Sequence, residues 1–125
     1  MQLTLLSDPR TFLADDREVV QVACEGPIRH ADFDRINEPL RALLGPFIFS
    51  RKVLLNLEKA TSIDSSGLSW LLSCHKHFVE GKGRMVLYAV PPLVLQVLEM
   101  VRLPLLIPVA PDEASARALA LGEKK

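Results

Sequence analysis

The sequence predicts an α/β protein whose central mixed, mostly parallel sheet of about five strands is flanked by about four helices. Short aliphatic runs alternate along the chain with longer segments in which apolar residues recur every three or four positions. Aliphatic runs separated by roughly 30 residues are typical of parallel strands joined by right-handed helical crossovers. The 125 residues, of which 49% are hydrophobic, are enough to build one core, so we expect residues 1–125 to form a single domain.

The first half of the chain is expected to supply two strands and one helix. Residues 3–6 and 19–24 are mostly aliphatic, and we predict that they form paired strands joined by a charged hairpin loop at residues 8–18. The segment 25–27 contains glycine and proline and is predicted to end the second strand. Apolar residues keep a helical period over residues 31–44, which predicts the first helix.

The second half is expected to alternate between strands and helices. We predict strands at residues 52–57, 84–88 and 105–107, and helices at residues 66–80, 91–102 and 113–121. The first of these helices should end at Gly81-Lys82-Gly83, because glycine takes the positive φ of a helix stop at little cost. Asp112 stands where it would cap the last helix.

The helical period also predicts which side chains face the core. In the 66–80 helix the expected core stripe is Leu68, Leu71, Leu72, His75, Phe78 and Val79. In the 91–102 helix the stripe is Val94, Leu95, Leu98 and Val101. Trp70 lies off the first stripe, so it either packs on a second face or is exposed as an anchor for a partner.

Charge and cysteine content exclude several classes of function. Basic and acidic residues both number 15, so no net charge attracts nucleic acid or an anionic membrane. Cys24 and Cys74 are too few for a disulfide framework and are expected to be reduced thiols. The N-terminal residues lack the pattern of a signal peptide, and no apolar stretch reaches the about 20 residues that span a bilayer. We therefore expect a cytoplasmic protein with no membrane span and no direct contact with nucleic acid.

The most informative segment is Asp64-Ser65-Ser66-Gly67, at the expected start of a helix. Backbone N–H groups and the positive end of the helix dipole favour an anion there, so a phosphate added to Ser65 or Ser66 could be held without refolding. Asp and Ser are also preferred N-cap residues, so the same segment suits a plain helix cap. The residues alone leave both interpretations open.

Catalysis and metal binding are not expected. A serine hydrolase would need a histidine beside Ser65, but His75 lies ten positions further along the same helix, roughly 15 Å away. His30 could reach Ser65 from another loop, and we expect it to be an ordinary surface residue. The Gly-x-Ser-x-Gly elbow of many hydrolases is missing, so a small serine hydrolase ranks third among the candidate functions. His75 and His77 diverge on a helix and cannot chelate a metal together. We predict no catalytic residue, no metal site and no cofactor.

With the motif and the order of elements together, the chain resembles the STAS domain, the fold of bacterial anti-sigma factor antagonists. The resemblance is densest over residues 53–68, where two segments stand at the spacing that the family uses: Leu55-Asn56-Leu57-Glu58 and Asp64-Ser65-Ser66-Gly67-Leu68. It is looser over the 81–83 turn and the 91–102 helix, and in the first half Gly26 alone matches. The resemblance thus covers most of the second half of the chain.

The resemblance implies a phosphorylation switch. In the family's well-known members the serine that follows the aspartate, here Ser65, is phosphorylated by an anti-sigma factor that is itself an ATP-using serine kinase. The unphosphorylated antagonist binds this kinase and frees a sigma factor, the phosphorylated form lets go, and a phosphatase restores it. The expected partner-interface residues around Ser65 are Asp64, Ser66, Gly67, Ser69 and Trp70. Among these, Asp64 would cap the helix, Ser66 would support the turn, and Gly67 would allow close approach of backbone or partner.

Two departures from the family pattern keep a second function open. The segment 26–30 replaces an acidic loop that is usual in the family, and Ser69-Trp70 stands where small residues are usual. STAS-like domains also occur as cytosolic parts of anion transporters and of lipid-transport complexes. The alternative function is therefore a constitutive scaffold or transport-complex subunit of the same fold, in which the serines only cap a helix.

Overall fold

A computed structural model describes residues 2–5, 19–28 and 48–120. These residues form six strands: β1 Gln2–Leu5, β2 Val19–Ile28, β3 Lys52–Asn56, β4 Ala60–Ile63, β5 Arg84–Tyr88 and β6 Val109–Ala110. They also form three α-helices, α1 Ser65–Gly81, α2 Pro92–Met100 and α3 Glu113–Ala120, and 3-10 turns at Ile48–Ser50 and Leu103–Leu105. The predicted α/β class is confirmed, while the helix predicted at 31–44 and the loop at 8–18 lie outside the described residues.

The strands form one mixed, mostly parallel sheet. Its order is β1-β2-β3-β5-β6, and β4 pairs with β2 away from this path. Strand β1 is antiparallel to β2, as its predicted pairing requires, and every other pairing is parallel. The carboxyl ends of β2 to β6 therefore share one edge of the sheet, and α1 begins at that edge because it directly follows β4.

Strand β2 has two halves with different partners. Residues 19–23 pair with β3, whereas residues 26–28 pair with β4, and the register of this second pairing shifts between Gly26 and Pro27. Gly26 has φ +82°, which an L side chain rarely adopts, and its N–H donates to the Lys59 carbonyl oxygen at 3.0 Å. The prediction that residues 25–27 end the strand is therefore wrong, because these breakers bend it towards a new partner.

Strand β4 was not predicted, and it raises the number of strands from about five to the six that are described. It has four residues, and the side chains of Thr61 and Ser62 in its middle are exposed. Such a short polar run has no clear strand pattern. It becomes a strand because the bent half of β2 offers it a backbone partner.

Helices cover both faces of the sheet. On one face α1 and α2 pack against alternate strand residues, and the largest fully buried side chains there include Phe78, Leu71, Leu55, Leu57 and Leu98. On the other face α3 packs against Leu54, Val86 and Tyr88 through two small residues, Ala116 and Ala120. Asp112 caps α3 as predicted, since its Oδ1 accepts a hydrogen bond from the Ser115 N–H at 2.8 Å.

The core stripe of α1 is rotated from the predicted one. Its buried residues are Gly67, Trp70, Leu71, Cys74 and Phe78, which keep an ideal helical spacing. Leu72 and Val79, predicted to be core residues, are 40% and 63% exposed. Trp70 is only 2% exposed, so the packing alternative is confirmed and its side chain is not available as a surface anchor.

Two further predictions are corrected by backbone conformation. Residues 105–107 do not form the last strand, because the chain turns through Leu103–Leu105 and the strand is Val109–Ala110. The positive φ at the end of α1 belongs to Lys82, at 65°, and not to either neighbouring glycine. In α2, Val94 and Leu98 are buried as predicted, whereas Val101 lies beyond the helix and is exposed.

Both cysteines are free and buried, as expected of reduced thiols. Burial raises the pKa of the Cys24 thiol from 9.0 to about 12, so the group stays protonated and unreactive at neutral pH. No helix in the described part of the chain is long and apolar enough to cross a membrane.

Candidate functional site

The candidate site is the junction between β4 and α1. Ile63 ends β4, Ser65 is the first residue of α1, and Asp64 alone separates them. Asp64 has the extended backbone of an N-cap residue, with φ −110° and ψ −177°. The site therefore lies at the carboxyl edge of the sheet, on the surface where the chain changes from strand to helix.

Asp64 caps the helix through one carboxylate oxygen. Its Oδ1 accepts hydrogen bonds from the Gly67 N–H at 2.9 Å and from the Ser66 hydroxyl at 2.5 Å. The predicted roles of Asp64 as cap and of Ser66 as support for the turn are both confirmed. The carboxylate also brings a negative charge to the positive end of the helix dipole, which stabilises the helix start.

Gly67 fixes the position of the helix start on β2. A Cβ atom at this residue would lie 2.2 Å from the Ile28 carbonyl oxygen and 2.9 Å from Ile63 Cγ1. The N–H of Asp64 also points at the Ile28 oxygen, at 3.5 Å. The close approach expected at Gly67 is thus made to the protein's own backbone, and no side chain larger than hydrogen fits there.

Ile28 is the part of the site that the sequence analysis missed. The sequence predicts the end of a strand at residues 25–27 and a loop at residues 26–30, whereas residues 26–28 carry the backbone on which α1 rests. An apolar residue directly after Gly26-Pro27 was the available sign that the strand continues. Residues 29 and 30 of the atypical segment lie outside the described part of the chain.

The two serines have different surroundings. Ser65 is exposed, and within the described ranges its hydroxyl makes no hydrogen bond. Ser66 is half-buried, and its hydroxyl is bound to Asp64. Ser69, one turn further along α1, is also exposed. The surface at this site is therefore formed by Asp64, Ser65 and Ser69, with a smaller share from Ser66.

Of the histidines in residues 2–5, 19–28 and 48–120, neither lies close to Ser65. His75 and His77 belong to the same continuous helix, roughly 15 and 18 Å along its axis from Ser65. The His77 ring is instead packed against Phe49, with 4.9 Å between ring centroids. Among the described residues, no group of three or more His, Cys, Asp or Glu could hold a metal ion. What the site can do is present an accessible hydroxyl on a helix start that is capped by Asp64 and packed against the Ile28 backbone.

Most of the chain matches a known family. A family model of the STAS domain matches residues 13–116, so the chain belongs to the STAS domain family. A search of curated proteins finds no significant match.

Solved structures with the same fold include several anti-sigma factor antagonists. The unphosphorylated form of SpoIIAA is 24% identical, with 99% of this chain and 98% of that chain covered and a TM-score of 0.63. The phosphorylated form of the Bacillus cell fate determinant SpoIIAA is 22% identical, with 94% and 97% covered and a TM-score of 0.57. An anti-sigma factor antagonist from Mycobacterium paratuberculosis is 18% identical, with 95% and 94% covered and a TM-score of 0.65. At these identities the likeness establishes the fold.

Proposed function

We propose that this protein is a phosphorylation-controlled binding module, without enzyme activity, that acts as an anti-sigma factor antagonist. In its unphosphorylated form it binds an anti-sigma factor serine kinase and thereby frees a sigma factor. Phosphorylation of Ser65 by that kinase ends the binding, and a phosphatase restores it. The proposal includes a cytoplasmic location, where the kinase has its ATP.

The observation that carries the proposal is the difference between the two serines. A kinase needs a hydroxyl that can enter its active site, and the Ser65 hydroxyl is exposed. The Ser66 hydroxyl is held by the Asp64 carboxylate, so phosphorylation there would first break a charge-assisted hydrogen bond. Ser65 is therefore the preferred acceptor.

A phosphate at Ser65 would change the charge of this surface sharply. It adds about −1.5 to −2 charges at pH 7, directly beside the carboxylate of Asp64. Asp64 already uses the Gly67 N–H, so the phosphate does not simply replace a missing cap. Because Ser65 is exposed, the added charge lies at the surface, where a partner fitted to a neutral hydroxyl would meet added bulk and a desolvation cost.

The helix start is rigid enough for the switch to act at the surface. Gly67 lies against the Ile28 carbonyl, and Asp64 holds the first turn. Neither contact uses the Ser65 hydroxyl. A modification of that hydroxyl consequently changes the interface and leaves the fold in place. The likeness in fold to SpoIIAA, which has been solved in unphosphorylated and phosphorylated forms, supports this proposal.

A constitutive scaffold or transport-complex subunit is the second candidate. It is favoured by the completeness of the cap, because the hydrogen bonds from Ser66 and Gly67 to Asp64 explain three of the four motif residues without a phosphate. In that case Ser65 would be an ordinary first-turn residue, and its substitution would have no effect on partner binding.

The test is a kinase assay with matched serine variants. The protein is incubated with ATP and each anti-sigma factor kinase encoded in the same genome, and the phosphate is located by mass spectrometry. We expect phosphate on Ser65 in the wild-type protein and in Ser66→Ala, and none in Ser65→Ala.

Binding is then measured by calorimetry with the same kinase. Ser65→Ala should bind as the unphosphorylated protein does, and Ser65→Asp should bind at least roughly tenfold more weakly. Equal affinity of the alanine and aspartate variants, or phosphate confined to another residue, would favour the constitutive scaffold.

A further inference from the structure

A second surface feature lies on the same edge of the sheet as Ser65. A cleft of about 470 Å³ separates α2 from β6, and it is lined by Val90, Leu95, Glu99, Pro104, Val109 and Pro111. Its volume lies within the range of roughly 300–1,000 Å³ that is usual for binding sites. The lining is apolar except for Glu99.

The topology places this cleft beside the carboxyl ends of parallel strands. Val90 closely follows β5, and Ala110 at the end of β6 also lines the cleft. Strands β4, β5 and β6 all run in the same direction, so the cleft and the start of α1 open on the same edge. In open α/β sheets this is the edge at which ligands bind.

Several exposed aliphatic residues are sequence neighbours of the residues that line the cleft. Leu105 and Leu106 directly follow the lining residue Pro104, and they are 79% and 56% exposed. Met100 and Val101, at the end of α2, are exposed as well. Neighbouring large aliphatic residues left in water are typical of a surface that another protein covers.

Glu99 defines the charge that the occupant must bring. It is the charged residue of the lining, and in the described ranges no cation lies within ion-pair distance of its carboxylate. A partner that covered this carboxylate with an apolar group alone would leave a desolvated, unpaired charge. A favourable occupant therefore carries Lys or Arg next to its apolar group.

The backbone beside the cleft argues against recognition by strand addition. Strand β6 has two residues and is flanked by Pro108 and Pro111, which have no N–H to donate. Pro104 on the opposite wall lacks a donor for the same reason. The cleft is therefore suited to side chains rather than to an extended backbone.

We infer that this cleft is a docking site for a segment of a protein partner that places an aliphatic side chain in the cleft and a lysine or arginine beside Glu99. Because the cleft shares an edge with Ser65, the partner is the anti-sigma factor kinase of the proposed function, and the inference rests on that function to this extent. One partner would then contact the phosphate switch and the apolar cleft together.

The chemistry of the cleft is tested without any partner. The ¹⁵N-labelled protein is titrated with hexylammonium and, separately, with hexanoate, which share a chain and differ in charge. We expect saturable amide shifts at Val90, Leu95 and Val109 with hexylammonium, with a dissociation constant on the order of 1–30 mM for a ligand of this size. Hexanoate should bind at least roughly threefold more weakly. Equal binding of the two probes, or shifts elsewhere only, would overturn the inference.

The role of Glu99 is tested with charge-reversed variants. Glu99→Lys should lose the preference for hexylammonium, whereas Glu80→Lys, the same change at the exposed far end of α1, should keep it. With the kinase, Glu99→Lys should bind roughly tenfold more weakly than the wild type, and Glu80→Lys should bind equally well. Unchanged kinase affinity in Glu99→Lys would overturn the inference. Failure of the kinase to bind the wild-type protein would overturn the proposed function instead, and the probe titration would still decide the chemistry of the cleft.

Discussion

Both ends of α1 are held by a close contact between a glycine and a backbone carbonyl oxygen of another segment. At the start, a Cβ on Gly67 would lie 2.2 Å from the Ile28 carbonyl oxygen. At the far end, a Cβ on Gly81 or on Gly83 would lie 2.4 Å from the Phe49 carbonyl oxygen. Each end thus rests on the backbone of another segment, and only glycine permits the contact.

The ends differ in what they leave on the surface. The far end is closed by Lys82 in the left-handed conformation, whose N–H donates to the carbonyl oxygens of Phe78 and Val79. The start is closed by Asp64, and it leaves the Ser65 hydroxyl exposed. At the start, the atoms that anchor the helix are therefore different from the hydroxyl that we propose as the phosphate acceptor, whereas no such acceptor is proposed at the far end. Substitutions should therefore separate effects on the anchoring of the helix from effects on partner binding.

The largest change in stability is expected from Cys24, which lies in β2, the strand beneath the start of α1. Burial raises the pKa of the Cys24 thiol from 9.0 to about 12, so between these values the unfolded chain loses the proton and the folded protein keeps it. Stability should be intact below pH 9.0 and fall by about 1.4 kcal/mol per pH unit above it, or roughly 4 kcal/mol by pH 12. Urea unfolding of wild type and Cys24→Ala from pH 8 upward measures this loss. An equally steep decline in the variant would contradict it.

The next largest effect is expected from alanine at the anchoring glycines. An alanine in place of a helical glycine normally stabilises by about 1 kcal/mol. At Gly67 and Gly81 we expect the opposite sign, a loss of about 1–3 kcal/mol or more, because the new methyl group meets a backbone oxygen. Ser73→Ala, at an exposed position in the middle of α1, is the control in urea unfolding. A gain in stability at either glycine would mean that the helix end is not anchored as described.

The cap at the start of α1 should contribute less than the anchor. Asp64→Ala removes the acceptor for the Gly67 N–H and the Ser66 hydroxyl and should cost about 1 kcal/mol. Asp64→Asn keeps an oxygen acceptor and should recover most of this loss. Thermal unfolding of both variants measures the difference. If the two variants lost the same stability, the negative charge rather than the hydrogen bonds would be the main contribution.

The smallest effect is expected at the far end. Lys82 has φ 65°, which costs a residue with a side chain about 1 kcal/mol relative to glycine. Lys82→Gly should therefore stabilise by about 0.5–1 kcal/mol, measured by urea unfolding, and should leave the affinity for the kinase unchanged. A loss of stability would show that the lysine side chain makes a stabilising contact that outweighs the strain.

Much of the structure in the second half of the chain can be predicted from local sequence pattern. The aliphatic runs of β3 and β5, the helical period of α1 and the cap of α3 by Asp112 depend on residues close together in sequence, and they were predicted within a few residues. The cap by Asp64 was predicted for the same reason. These helices, strands and caps could be predicted without information about contacts between residues far apart in the sequence.

The features of the fold that could not be predicted depend on contacts between residues far apart in the sequence. Strand β4 forms because residues 26–28 of β2 bend towards it, and no local pattern in Ala60–Ile63 reveals that pairing. Leu72 and Val79 fit a core stripe in sequence, yet the packing of α1 leaves them exposed. Glycines at 81 and 83 suggested a positive φ, whereas both are required by the Phe49 backbone, and Lys82 turns instead.

We propose above all that phosphate on Ser65 controls partner binding without disturbing the helix start. The most direct test uses protein carrying phosphoserine at position 65 and measures, on one preparation, the affinity for the anti-sigma factor kinase and the free energy of unfolding. We predict at least roughly tenfold weaker binding, with stability changed by no more than about 0.5 kcal/mol. Equal affinity of the kinase for the phosphorylated and unphosphorylated forms would contradict this proposal. It would also be contradicted if the free energy of unfolding fell by as much as the free energy of binding.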